Sequence, residues 1–169
     1  MSKRRYAVMV VHMLVIGLIA AVPSFAQGGR GRGMMGGAGN EDMQLFQQLF
    51  EHRSEITRRV IAHDDRIETV TESKNPEVAR LLQTHVASML ARVKESRPIH
   101  QRDPLFAELF KHTDKISARH QRTARGVRVV ESSKDPWVVK LLQAHAEVVT
   151  AFITNGMSEM KKNHPLPPR

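Results

Sequence analysis

The chain has 169 residues, 41% of them hydrophobic, a formal net charge of +9 and no cysteine. Its length suits one compact domain with a buried core, and the missing thiols exclude disulfides, lipoprotein attachment, covalent c-type haem and thiolate metal sites. The cations are dispersed along the chain, which describes a solvated surface, so no nucleic acid partner is expected.

Lys3-Arg4-Arg5, the apolar run from Ala7 to Val22 and Pro23-Ser24-Phe25-Ala26 form the three zones of a secretory signal peptide with cleavage after Ala26. The run is broken by His12 and Gly17 and is shorter than the roughly 20 residues of a comfortable bilayer span. Residues 1–26 therefore read as a cleaved signal, the mature protein is expected to be periplasmic or secreted, and no integral membrane span is expected after cleavage. Residues 27–40, rich in glycine and arginine, read as a flexible leader with too little apolar surface to offset the entropy of ordering glycine.

A tandem repeat organises the rest. Ser73-Lys-Asn-Pro-Glu-Val-Ala-Arg-Leu-Leu-Gln-Thr-His85 returns sixty positions later as Ser133-Lys-Asp-Pro-Trp-Val-Val-Lys-Leu-Leu-Gln-Ala-His145. Leu45-Phe46, Leu49-Phe50 and His52 meet Leu105-Phe106, Leu109-Phe110 and His112 in the same register, so the unit is duplicated. The copies span 42–97 and 102–157 within a single helical domain, 41–157.

Each copy is expected to open with a helix. Asp103-Pro104 is an N-cap followed by proline at the first helical position. Leu45, Leu49, His52, Ile56 and Arg59, matched by Leu105, Leu109, His112, Ile116 and Arg119, recur at spacings of three and four. Gly126 reads as the C-cap of the second copy's helix. A short segment richer in β-branched residues follows, at 67–71 and 127–131, and two such segments can pair as a small two-stranded ribbon. The second helix of each copy starts at Asn75-Pro76 or Asp135-Pro136. It carries Val78, Leu82, His85 and Met89, or Val138, Leu142, His145 and Val149, on one apolar face. Arg97-Pro98 and Asn155-Gly156 close these helices. Residues 158–169 read as an extended tail. The fold class implied is mainly α: two tandem helix–short strand–helix repeats burying their apolar faces in a pseudo-twofold four-helix bundle, with or without the ribbon.

His52, His85, His112 and His145 repeat, and all four lie on the apolar stripes. They sit about ten residues past their caps, on the order of 15 Å along each helix axis, and are expected near one layer of the bundle. Bundles build metal and haem sites from such layers. Without cysteine or an inward acidic cluster, the ligand types allow zinc or copper through imidazoles, or b-type haem with a histidine on each side of the iron. Arg59 and Arg119 on the same stripes then stand where they can meet haem propionates. The competing reading has no cofactor. It holds four satisfied core histidines and two snorkelling arginines in a structural or protein-interaction module of the periplasm or envelope. His63, His100, His120 and His164 have no counterpart in the other copy and are expected to face solvent. No serine, carboxylate pair or nucleophile recurs on the histidine face, so a binding, sensing or electron-transfer role is expected rather than an enzyme.

The pattern Asp103-Pro-Leu-Phe-Ala-Glu-Leu-Phe-Lys-His112, the run Gly126 to Ala146 and the closing His164-Pro-Leu-Pro167 resemble an uncharacterised family of secreted bacterial duplicated helical proteins. Some of its members look like neighbours or fusion partners of cytochrome c domains. The resemblance covers nearly all of the mature chain and implies an exported context with an exported redox or envelope protein as partner. It implies no named activity, and without Cys-x-x-Cys-His this chain is not itself a c-type cytochrome.

Overall fold

The computed structural model describes residues 37–169, so the expected signal peptide and most of the expected leader lie outside the described residues. In the first copy, α1 (Gly37–Glu51) is followed by a 3-10 turn at Arg53–Glu55, strands β1 (Ile56–Ala62) and β2 (Arg66–Ser73), and α2 (Pro76–Lys94). The second copy repeats this as α3 (Pro104–Phe110), a 3-10 turn at Thr113–Lys115, β3 (Ser117–Thr123), β4 (Gly126–Ser132) and α4 (Pro136–Asn155), and a last 3-10 stretch covers Gly156–Lys161. The strands form one antiparallel sheet in the order β1-β2-β4-β3.

The mainly helical four-helix bundle is thus corrected to an α/β domain. The segments at 67–71 and 127–131 do pair, but as the centre of a four-stranded sheet. The expected first helix of each copy stops at Glu51 or Phe110, and the chain turns into an edge strand. Arg59 and Arg119 consequently lie on β1 and β3 and not on a helical stripe. Ile56-Thr57 and Val60-Ile61 are stiff at Cβ and favour extended backbone, which prevails over the helical spacing of Leu49, Ile56 and Arg59. In β3, Ser-Ala-Arg-His-Gln-Arg-Thr has little strand preference of its own, and pairing with β4 decides its state. Gly126 opens β4 and is not a helix cap. A Cβ there would stand 2.1 Å from the carbonyl oxygen of Thr71, so glycine permits β4 to close on β2.

Thr69 faces Val129 across the central pair, and these are each other's equivalents in the repeat, so the pseudo-twofold axis passes between them. Each second helix starts as its sequence dictates, with Asn75 accepting from the Glu77 amide and Asp135 from the Trp137 amide, each at 3.0 Å. Helix α2 packs on β4, β2 and β3, and α4 packs on β2 and β1, so each long helix lies across the other copy's hairpin. The repeated glutamine fastens this exchange. Gln83 Nε2 donates to the carbonyls of Thr123 and Gly126 at 3.1 and 3.0 Å, and Gln143 Nε2 donates to the His63 carbonyl at 3.0 Å. A single copy would leave both the helix face and the β2 edge unpaired, which explains why the unit is used in duplicate.

Core side chains come from the faces so aligned: Ile67 of β2, Leu105, Phe106 and Leu109 of α3, and Leu141, Leu142, Ala146 and Phe152 of α4. Leu49, Val78 and Leu82 make a second cluster in the first copy. Helix α1 is tied to α2 by a buried ion pair between Asp42 and Arg92, with Ser88 donating to the same carboxylate at 2.6 Å. The tail is docked. His164 Nδ1 meets Asp103 at 2.5 Å, and Lys140 Nζ donates to the Pro168 carbonyl at 3.0 Å.

Candidate functional site

A cavity of about 250 Å³ lies between the helices and the central strands. Thr69 and Val129 form its floor beside the pseudo-twofold axis, α2 contributes His85 and Met89, and α4 contributes His145, Val149 and Phe152. The short helices each add one phenylalanine edge-on to a histidine. Phe46 meets His85 with ring centroids 4.7 Å apart, and Phe106 meets His145 at 5.1 Å. These two pairs are repeat equivalents, so the duplication places one Phe–His pair on each side of a shared chamber. A smaller space of about 110 Å³ shares Phe46, Arg58, His85 and Phe152 with it.

Both histidines reach the cavity for the same reason. They follow the Leu-Leu-Gln segment by two positions, so the turn that aims the glutamine at the other copy's hairpin sends the histidine inward. Burial holds His85 down to about 4, and burial together with the charge of Arg58 does the same to His145. Both rings are therefore neutral at physiological pH. Their Nδ1 atoms are buried and have no hydrogen-bond partner.

Two charged groups complete the lining. Arg58 of β1 donates from Nη1 to Thr71 Oγ1 at 2.7 Å, while its Nε is buried without a partner. Burial lowers Arg58 to about 10, which leaves it cationic. Glu131 of β4 faces the same chamber, and burial pushes its carboxyl up against the opposing pull of Arg58. An unpaired buried polar group costs about 1–3 kcal/mol. Three such groups around one apolar chamber are a concentrated expense that ordinary cores avoid.

The structure brings His85 and His145 together and leaves His52 and His112 elsewhere. His52 ends α1 at the surface with Nδ1 2.6 Å from Glu55, and its side chain is 43% exposed. His112 ends α3 and points Nε2 at Glu108, 3.3 Å away. Arg59 and Arg119 are exposed on the edge strands, away from the chamber. Among the described residues no three or more histidine, aspartate or glutamate side chains are placed to hold a metal ion. A 150 Å³ cavity accepts benzene, and the chamber here, at about 250 Å³, is larger.

Of the histidines without a counterpart, His120 is exposed, whereas His164 is 13% exposed and bridges two carboxylates. Its Nδ1 meets the fully buried Asp103 and its Nε2 meets Glu159 at 3.0 Å. Burial works against the charged ring, but Asp103 and Glu159 outweigh it and hold His164 above the usual histidine range. His100, in left-handed backbone with φ 56°, stands 3.7 Å from the same Asp103 and lines the chamber. A larger open depression of about 950 Å³ beside Asp64, Asp114 and Lys115 is a solvent-filled surface feature in which Lys115 already pairs with Asp135 at 2.8 Å.

Arg58 and Glu131 escaped sequence reasoning because they break the repeat. Their counterparts are Ala118 and Thr71, so a search for residues that recur passes over both. Phe46 and Phe106 carried a usable signal, since they recur with His85 and His145.

The chain matches no family model, no curated protein and no solved structure. Among the described residues, no helix is long and apolar enough to cross a membrane.

Proposed function

We propose that this protein binds a small, largely apolar organic molecule in the chamber between its two repeats, with no catalytic step. The observation that carries this reading is the convergence of His85, His145 and Arg58, each with a buried polar atom short of a protein partner, on a cavity walled by Phe46, Phe106 and Phe152. Ligand sites combine such an apolar wall with a few placed polar groups. Scaling from a 150 Å³ cavity that holds benzene, the occupant has about ten non-hydrogen atoms. With export, as the first residues suggest, the role is capture or sensing of such a molecule in the periplasm or outside the cell.

Thermal unfolding of the mature protein with and without benzyl alcohol tests this. Occupancy at a hundredfold the dissociation constant stabilises by about 2.7 kcal/mol, and Val149→Phe, which fills the chamber, should abolish the effect. No rise in Tm, or a rise that survives Val149→Phe, would sink the reading. A second reading, copper or zinc on His85 and His145, is favoured by their unpartnered ring nitrogens beside Met89. Stoichiometric metal in protein isolated from its host, lost in His85→Leu, would support that reading instead.

A further inference from the structure

We infer that the chamber's ligand is a monocarboxylic acid, its carboxylate held by the guanidinium of Arg58 and its apolar body lodged among Phe46, Phe106 and Phe152. This rests on the chamber being a ligand site and specifies what enters it.

Arg58 lines the chamber half-buried, and among the described residues no carboxylate lies within 4.0 Å of it, whereas Asp42 pairs directly with the buried Arg92. One Nη1–H of Arg58 is used by Thr71, and Nε–H is bare. A guanidinium presents its donors as a planar fork that matches the two oxygens of a carboxylate. No other lining group pairs with Arg58 directly. His85 and His145 are neutral, and burial pushes the Glu131 carboxyl up against the opposing pull of Arg58. Arg58 thus brings into the chamber a guanidinium with a bare Nε–H and no carboxylate in direct contact, and an anion is the occupant that satisfies it.

The repeat fixes the number of acid groups. The position equivalent to Arg58 is Ala118, so the repeat brings no second guanidinium to the chamber. A dicarboxylate would leave its second charge against Phe106 and Leu109, at the cost of burying an unpaired ion. A chamber of this size suits an arylcarboxylate or a medium-chain alkanoate.

Calorimetric titration of the mature protein with benzoate, benzyl alcohol and benzylamine, three probes of one size and different charge, decides the matter. The inference expects benzoate to bind at least tenfold more tightly than benzyl alcohol, and the ratio to fall towards one in Arg58→Gln, with folding checked by circular dichroism. If Arg58→Gln does not fold, the wild-type ratio alone still decides. Benzyl alcohol binding as well as benzoate overturns the carboxylate and leaves the ligand chamber standing. Tightest binding by benzylamine overturns it in favour of Glu131 as an ionised partner. No binding by any of the three removes both this inference and the proposed function.

Discussion

Acidification should unfold this protein through the two histidines of its chamber. His85 and His145 titrate at about 4 when folded and at the ordinary histidine value of 6.5 when unfolded. As pH falls below 6.5 the unfolded chain takes up protons that the folded chain refuses, so stability is lost between 6.5 and 4 and is unaffected above that window. At pH 5 each ring costs about 2 kcal/mol relative to high pH, and at pH 7 about 0.2 kcal/mol. The pair thus removes about 4 kcal/mol, a large share of the roughly 5–15 kcal/mol that holds a domain together. Urea unfolding at pH 7.5 and 5.0 measures it, comparing the wild type with the double variant His85→Leu, His145→Leu. The subtraction matters because Glu131 and His164, with raised values, run in the opposite direction. The wild type should lose about 4 kcal/mol more than the variant. Equal losses in the two proteins would show that the rings are not buried neutral, and the reasoning about the chamber would fail with them.

Other outcomes follow from the same geometry. Gln83→Ala removes two hydrogen bonds to the other copy's hairpin and should cost about 2 kcal/mol in chemical denaturation, more than Gln143→Ala, which removes one. Gly126→Ala drives a methyl group into the Thr71 carbonyl and should cost about 3 kcal/mol, read as a lowered urea midpoint. His164 is held above its ordinary value, so its contribution is complete below pH 6.5 and fades as pH rises through the folded value. His164→Ala should therefore destabilise by about 2 kcal/mol at pH 6 and by less at pH 9, and a uniform loss would contradict the bridge to Asp103 and Glu159.

The sequence shows the duplication, the caps at Asn75, Asp103 and Asp135, and the long helices they start, because these are local signals with fixed chemistry. It also marks His85 and His145 as inward. It misleads where a short helix hands over to an edge strand. His52 and His112 sit at that junction, one residue beyond a helix end or nearly so, and their spacing continues the helical stripe by coincidence. Strand β3 has no alternation of its own and exists because β4 offers it an edge. The charged half of the chamber was invisible for a different reason. Arg58 and Glu131 occupy positions where the copies diverge, and only the fold brings them to one chamber, from strands that are not neighbours in sequence. The Asp103–His164 bridge spans most of the second copy and leaves no local pattern at all.

The central claim is that the chamber holds a small organic molecule. A crystal structure of residues 27–169 grown with benzoate tests it most directly. The account predicts density for the ring between Phe46 and Phe106, with its carboxylate on Arg58 and within reach of His85 or His145. Benzoate found elsewhere, or a chamber filled by ordered water bridging the same side chains, would contradict it.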